Sequence, residues 1–237
     1  MVMLKKTMKK VIKFLSILLL VSSCSTHANE CLDNIKNLPE TNSDIFQKRP
    51  LSFRDKIQDH ALWQTKQDVV YDGSYVRLDY PGGDVPADRG VCTDVVIRAL
   101  RSIDVDLQIE IHEDMKIAKS EYDKRFKTTR IDSNIDHRRT QNIQTYLERK
   151  GCKVNYDKTS SELKYQKGDI VFFDIANGHV GIVTDIFSER NKTVPLLVHN
   201  IGSGPVLDDF LLRFPVIDHY RLNKKIIEQI QKKNLTS

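Results

Sequence analysis

Beyond residue 50 the apolar positions change character once along the chain, from a helical period to the alternation of strands. Phe53, Ile57, Ala61 and Leu62 recur at helical spacing between Ser52 and Lys66, and Asp72-Gly73 and Pro81-Gly82-Gly83 then break the chain into turns. In GVCTDVVIRALRSIDVDL, residues Cys92, Val95, Val96, Ala99, Leu100 and Ile103 fall on one face, so Cys92 opens a helix with a buried side. A weaker pattern from Met115 to Phe126 predicts a second helix. A third is expected from Arg138 to Lys150, with Ile143, Tyr146 and Leu147 on one side and Gly151 as its stop.

After Ser161 the pattern is that of strands: DIVFFDI from Asp169, HVGIVTDIF from His179, VPLLVH from Val194, and a last one near His219-Tyr220-Arg221-Leu222. Helices first and strands after predict an α+β domain, its antiparallel sheet packed on the Cys92 helix. The domain is expected over 51–223. The Lys- and Gln-rich segment 224–237 is left as a tail, either a short helix or frayed, and no internal repeat is visible.

The segment ahead of the domain changes the picture of where the protein acts. Lys5, Lys6, Lys9, Lys10 and Lys13 precede an apolar run from Phe14 to Val21, the order of charge and hydrophobicity in a secretory signal over 1–23. The run is too short to span a bilayer as a mature helix. Val21-Ser22-Ser23-Cys24 has the form of a lipobox, which predicts lipidation of Cys24 and a membrane-anchored lipoprotein of the periplasm or cell envelope. Ordinary cleavage after Thr26-His27-Ala28 is the alternative. The polar stretch 24–50 reads as a spacer.

Those five lysines also carry the whole formal charge of +5 in this 237-residue chain: without them, the remaining Lys and Arg balance the 32 Asp and Glu. A neutral body with a single Trp excludes a nucleic-acid partner, and 40% hydrophobic with 29% charged residues excludes a polytopic membrane protein and a disordered chain. The membrane is expected as a partner only through the lipid. Of the four cysteines, Cys31, Cys92 and Cys152 remain once Cys24 is modified or removed. Cys31 pairing with Cys152 would leave Cys92 as a thiol; equally, all three stay unpaired.

Chemistry concentrates at three positions. A cysteine at a helix start faces unpaired N–H groups and the positive end of the dipole, which favour thiolate. If the strands carrying His179 and His199 form a hairpin, the midpoint of the two is residue 189, inside a polar turn. The imidazoles would then lie opposite each other on one face. A base oriented by a second polar group is the arrangement of a Cys-His-X triad.

These residues carry a resemblance. KGDIVFFD, GHVGIVTD and LLVHN resemble the strand series of the NlpC-type cell-wall cysteine peptidases, and Tyr80, Gly82-Gly83 and Cys92 are similar to that family's Tyr, Gly-Gly and Cys series. Over about Leu51 to Leu222, YPGGDVPADRGVCTDVVIRALR, NIDHRR, HVGIV and VHNIGSGP resemble the bacterial family known as domain of unknown function 1287. Val91 stands where the peptidases usually carry Asp, and Thr93-Asp94 where they carry Ser-Gly.

The resemblance implies a papain-like core, Cys92 as nucleophile, His179 as general base, His199 as the residue that orients it, and Tyr80 near the oxyanion with the Cys92 amide as second donor. It implies an amide hydrolase acting through an acyl-enzyme on peptidoglycan stem peptides, with no cofactor. Asp94 is expected as a helix cap acting through a following N–H, as a contact for substrate amine, or as a group that raises the Cys92 pKa.

Asp136 is expected as the N-cap of a helix start in Asn134-Ile135-Asp136-His137-Arg138-Arg139, where Arg138 or Arg139 could clamp a substrate carboxylate or serve a structural ion pair. His137 and Asn200 complete the substrate-facing set. The alternatives are an inactive envelope-binding module with the same fold, a zinc protein using the Cys and His residues, and an acyltransferase with the same triad. Oligomeric state is not legible.

Overall fold

The computed structural model describes residues 50–155, 165–175, 178–190 and 192–234. The chain divides into two compact units, Met1–Pro50 and Leu51–Ser237, and every element below belongs to the second. The signal, the lipobox at Cys24, the spacer and Cys31 lie outside the described residues.

Helix α1 spans Phe53–Gln64, capped by Ser52, whose hydroxyl accepts from the Asp55 amide while Asp55 accepts from the Ser52 amide. A short parallel ribbon follows, β1 (Val70–Tyr71) against β2 (Arg89–Gly90), and leads into α2 (Cys92–Arg101). Helix α3 covers Leu107–Asp123, with a kink at Ala118. A 3-10 turn at Asp136–Arg138 then precedes α4 (Thr140–Arg149).

Two helix boundaries differ from the sequence expectation. Helix α3 starts eight residues ahead of Met115 because Asp106 caps it and Leu107, Ile111 and Met115 form its buried stripe. The stripe is masked in the sequence by Glu110, which is itself buried and accepts from the Tyr146 hydroxyl at 2.9 Å. Arg138 precedes α4 because its backbone belongs to the 3-10 turn.

The five-stranded sheet has the order β6-β5-β4-β3-β7 and is antiparallel throughout: β3 Ile170–Phe173, β4 His179–Phe187, β5 Pro195–Asn200, β6 Pro205–Asp208, β7 Val216–Tyr220. Strand β6 occupies the stretch behind Gly202-Ser203-Gly204, where the sequence shows only a turn. Alternation along the strands divides the core in two. Ile170, Phe172, Val180, Ile182 and Val198 meet the helices, with Val95, Val96, Ala99 and Leu100 of α2 among them. Val171, Phe173, Val183 and Leu197 cover the opposite face with Phe210 from a 3-10 turn at Phe210–Leu212.

The C-terminal segment set apart as a tail is helix α5, Lys224–Asn234, whose Ile226, Ile227 and Ile230 join the main core. The expected α+β architecture, with an antiparallel sheet on the Cys92 helix, is the one observed. Among the described residues, no helix is long and apolar enough to cross a membrane.

Candidate active site

Cys92 is the first residue of α2, and Asp94 fixes the turn around it. The Asp94 carboxylate accepts the Val91 amide at 2.7 Å, so it caps the helix through a preceding N–H and not a following one. The same carboxylate pairs with Arg138, Nε to Oδ1 at 2.8 Å and the second nitrogen to Oδ2 at 2.9 Å. Arg138 also donates to the carbonyls of Ser74 and Asp72, while its own carbonyl accepts the Thr93 hydroxyl. Arg138 is therefore spent on the scaffold and is not the carboxylate clamp. Asp94 likewise has no room for a substrate amine.

The β4–β5 ladder runs through Ile182 opposite Val198 and Val183 opposite Leu197. Continued outward, that register sets His199 across from Gly181, with His179 two positions farther on the same face. The expected direct pairing of His179 with His199 is corrected by a slip of two. An even slip preserves the face, which is why the side chains still meet. The slip originates at the turn, where Phe187 pairs with Pro195, and the irregularity between Val183 and Phe187 reduces it from four residues to two.

Gly181 places no side chain on the diagonal between the rings; a Cβ there would come within 2.6 Å of the Leu197 side chain and 2.9 Å of the Val198 carbonyl. His179 Nε2 and His199 Nδ1 are 3.0 Å apart, with ring centroids at 5.0 Å and planes at 89°. Asp208 on β6 lies 3.8 Å from His199 Nε2. This carboxylate favours a proton on His199 Nε2, so Nδ1 accepts from His179 Nε2–H and the lone pair of His179 is left on Nδ1. Phe210 packs on both rings. Burial in that apolar setting lowers His179 to about 3, with the His199 neighbour as a second cause, and His199 to about 4.

Cys92 meets this pair where β4 begins. The Val180 amide, one residue after His179, donates to the Cys92 sulfur, and the Cys92 and Thr93 amides also favour its charged form. On the other strand, Asn200 Nδ2 donates to the Gly90 carbonyl at 3.1 Å, holding the segment ahead of Cys92 against the end of β5. Burial nonetheless outweighs the helix terminus and pushes the thiol up to about 11, with Asp94 raising it further. The resting sulfur is a thiol, which corrects the expected thiolate. No hydrogen bond joins it to His179.

A cleft of about 440 Å³ opens over Cys92, walled by Tyr71, Phe126, Arg139, Gln141 and Gly178 among others. Gly178 has φ +94, and a Cβ on it would stand 2.5 Å from the Thr140 hydroxyl, so this approach of β4 to α4 requires glycine. Arg139 stacks on Phe126 at 4.4 Å. Its nearest carboxylate is Asp136 at 3.9 Å, and its Nε has no hydrogen bond.

Tyr80 is not at the cleft: its hydroxyl donates to Glu113 at 2.7 Å and its ring packs on His112. The tyrosine beside Cys92 is Tyr71, whose pKa is raised by burial and by the charges of Cys92 and Asp94. Its signal in the sequence is an aromatic residue just ahead of the Asp72-Gly73 turn. Asp136 accepts the Asp132 amide at 2.6 Å, so it ties a loop and does not cap α4. His137 is buried, its pKa lowered to about 4 by burial, and it does not line the cleft.

Asn200 is buried and its side chain is engaged with backbone at both ends, Nδ2 donating to the Gly90 carbonyl and Oδ1 accepting the Gly202 amide. Cys152 is a buried thiol, raised to about 11, whose suggested partner Cys31 is outside the described residues. Among the described residues, no three His, Cys, Asp or Glu side chains converge as metal ligands.

The family described as Domain of unknown function (DUF1287) matches residues 58–222, from within α1 through the end of β7. The chain is 48% identical over 171 residues to the "Uncharacterized protein YijF" of Escherichia coli (strain K12), an overlap of 70% of this chain and 80% of that protein. No solved structure matches it. The chain belongs to the DUF1287 family.

Proposed function

We propose that this chain is an exported cysteine hydrolase with an NlpC-type, papain-like core that cleaves an amide bond in the cell envelope, with peptidoglycan stem peptide as its substrate. The observation that carries the reading is the 3.0 Å contact of His179 Nε2 with His199 Nδ1, at the strand end where the Val180 amide meets the Cys92 sulfur. It commits one nitrogen of His179 to an orienting partner and leaves the other, Nδ1, as a base.

A buried thiol and a neutral imidazole react as a general-base pair. His179 Nδ1 takes the thiol proton as the sulfur attacks the substrate carbonyl, and the carbonyl π electrons move to oxygen. The amide of Cys92 and the hydroxyl of Tyr71 are the donors for that oxyanion. The C–N bond then breaks and the amine leaves with the proton from His179; water, deprotonated by the same nitrogen, attacks the thioester, and the C–S bond breaks as that proton returns to the Cys92 sulfur. Closure around substrate is expected to bring Nδ1 to the sulfur, since catalytic hydrogen bonds are commonly long before substrate binds. Arg139 supplies a cation for a stem-peptide carboxylate.

Incubation of the purified chain and its Cys92→Ala variant with sacculi and defined muropeptides, read by mass spectrometry, tests this. New fragments from the wild type alone support the reading and identify the bond; amine-linked products in place of hydrolysed ones would make it an acyltransferase. A second reading, an envelope-binding module without catalysis, draws on the Cys92 thiol at about 11 and the missing hydrogen bond from His179. Sacculus binding with no fragments from either form would select it.

A further inference from the structure

A second cavity, of about 500 Å³, lies between α1, the loop ahead of β2 and α2, and shares no lining residue with the Cys92 cleft. Its volume is in the range of small-molecule sites. Trp63, the sole tryptophan of the chain, stands on its wall and is 53% exposed. Its neighbour Gln64 is 2% exposed and lines the same space. The Gln64 Nε2 hydrogens go to the Val95 carbonyl at 3.0 Å and to His60 Nδ1 at 3.3 Å. Its Oε1 is buried with no partner, an acceptor that the chain itself leaves unmatched.

The other polar groups narrow the class of ligand. Arg98 is committed to Asp84 at 2.8 Å and to the carbonyls of Val85, Pro86 and Arg89, and Arg101 to Asp106 and the Gly83 carbonyl. Both guanidiniums hold the wall and neither is free for an anion. Because Gln64 Nε2 can only donate, His60 Nδ1 accepts, and the ring carries its proton on Nε2. What remains is one open aromatic face, a buried neutral acceptor, an imidazole donor, and the carboxylates of Asp68 and of Asp88 at the cavity, the latter also 3.5 Å from Arg89 Nε.

The geometry points to a saccharide site, in which the C–H face of a pyranose stacks on Trp63 while a hydroxyl or an N-acetyl amide donates to Gln64 Oε1. The remaining hydroxyls bond Asp68, Asp88 and His60. An apolar ligand would leave the Gln64 oxygen unmatched, and an ammonium group would find a single indole in place of an aromatic cage. The β1–β2 ribbon runs from this cavity, at Val69 and Asp88, to the Cys92 cleft, at Tyr71 and Val91. A glycan held here could present an attached peptide to Cys92; that extension rests on the proposed function, whereas the saccharide site does not.

Trp63 makes its own emission the probe. The full chain is titrated with the trimer of N-acetylglucosamine and with cellotriose, followed by fluorescence and calorimetry. A saturable emission change with at least one trisaccharide is expected. The exposed substitution Trp63→Ala should remove the calorimetric signal and Asp88→Asn should weaken binding at least threefold, both with the circular dichroism of the wild type. Cys92→Ala should bind as the wild type does, which separates this site from the hydrolase reading. Absence of saturable emission and heat with both sugars overturns the proposal, as does a response to choline or lysine amide in place of the sugars.

Discussion

Asp94 and Arg138 form a two-pronged ion pair beneath the Cys92 turn, both side chains 2% exposed. Because Asp94 also accepts the Val91 amide, the pair joins the start of α2 to the 3-10 turn ahead of α4, the two walls of the cleft. Removing one partner strands a buried charge. Arg138→Leu is expected to cost about 3–5 kcal/mol in urea unfolding. Adding Asp94→Leu should recover part of that loss, and a double variant as damaged as the sum of the singles would show that the pair is not coupled.

Gly181→Ala tests the diagonal arrangement of the histidines. The new methyl meets the Val198 carbonyl, a backbone atom that cannot turn away, at 2.9 Å. A loss of about 1–3 kcal/mol is expected. The imidazole nitrogen resonances of His179 and His199 should shift with it, and unchanged spectra would refute the register.

Stability should fall as pH drops from about 6.5 toward 4. His137 and His199 are lowered to about 4 and His179 to about 3 in the folded chain, against about 6.5 when unfolded. In that window the unfolded state binds protons that the folded state refuses, so their contribution is full above 6.5 and lost below it. Each fully titrating histidine adds a slope of about 1.4 kcal/mol per pH unit. Urea midpoints at pH 7.5, 6.0 and 5.0 measure it, and His137→Gln should flatten the curve.

Alkylation of Cys92 by iodoacetamide should be slow at pH 7.5 and rise about tenfold per pH unit toward 11, since burial holds the thiol protonated. Peptide mass spectrometry separates it from Cys152. Fast labelling at neutral pH would show that the helix terminus dominates after all.

Tyr71 and Tyr80 divide the two placements of the oxyanion donor. If the hydrolase reading holds, Tyr71→Phe lowers kcat by about 10²-fold. Tyr80→Phe, which loses only the bond to Glu113, leaves kcat unchanged. The reverse result would return the role to Tyr80.

Much of the framework was legible because single side chains announce it. The stripe from Cys92 to Ile103 identified α2, and alternation identified β3, β4 and β5. Helix α3 was misplaced because its buried face includes Glu110 and Gln108, polar residues satisfied by partners far along the chain: Tyr146 for the first, the Gly83 amide for the second. Strand β6 is hidden because Pro205 follows the turn-forming Gly202-Ser203-Gly204 and only Val206 and Leu207 of the strand are apolar.

Local periodicity alone places Cys92 at a helix start, whereas the common sheet face of His179 and His199 was conditional on a hairpin and holds because the slip of register is even. Long-range packing sets the rest: Tyr71 and not Tyr80 borders Cys92, Arg138 is locked on Asp94 while Arg139 is left to the cleft, and burial raises the thiol. Each of these depends on which distant segments come together and how much water they exclude, and burial and pairing across 44 residues leave no local pattern in the chain.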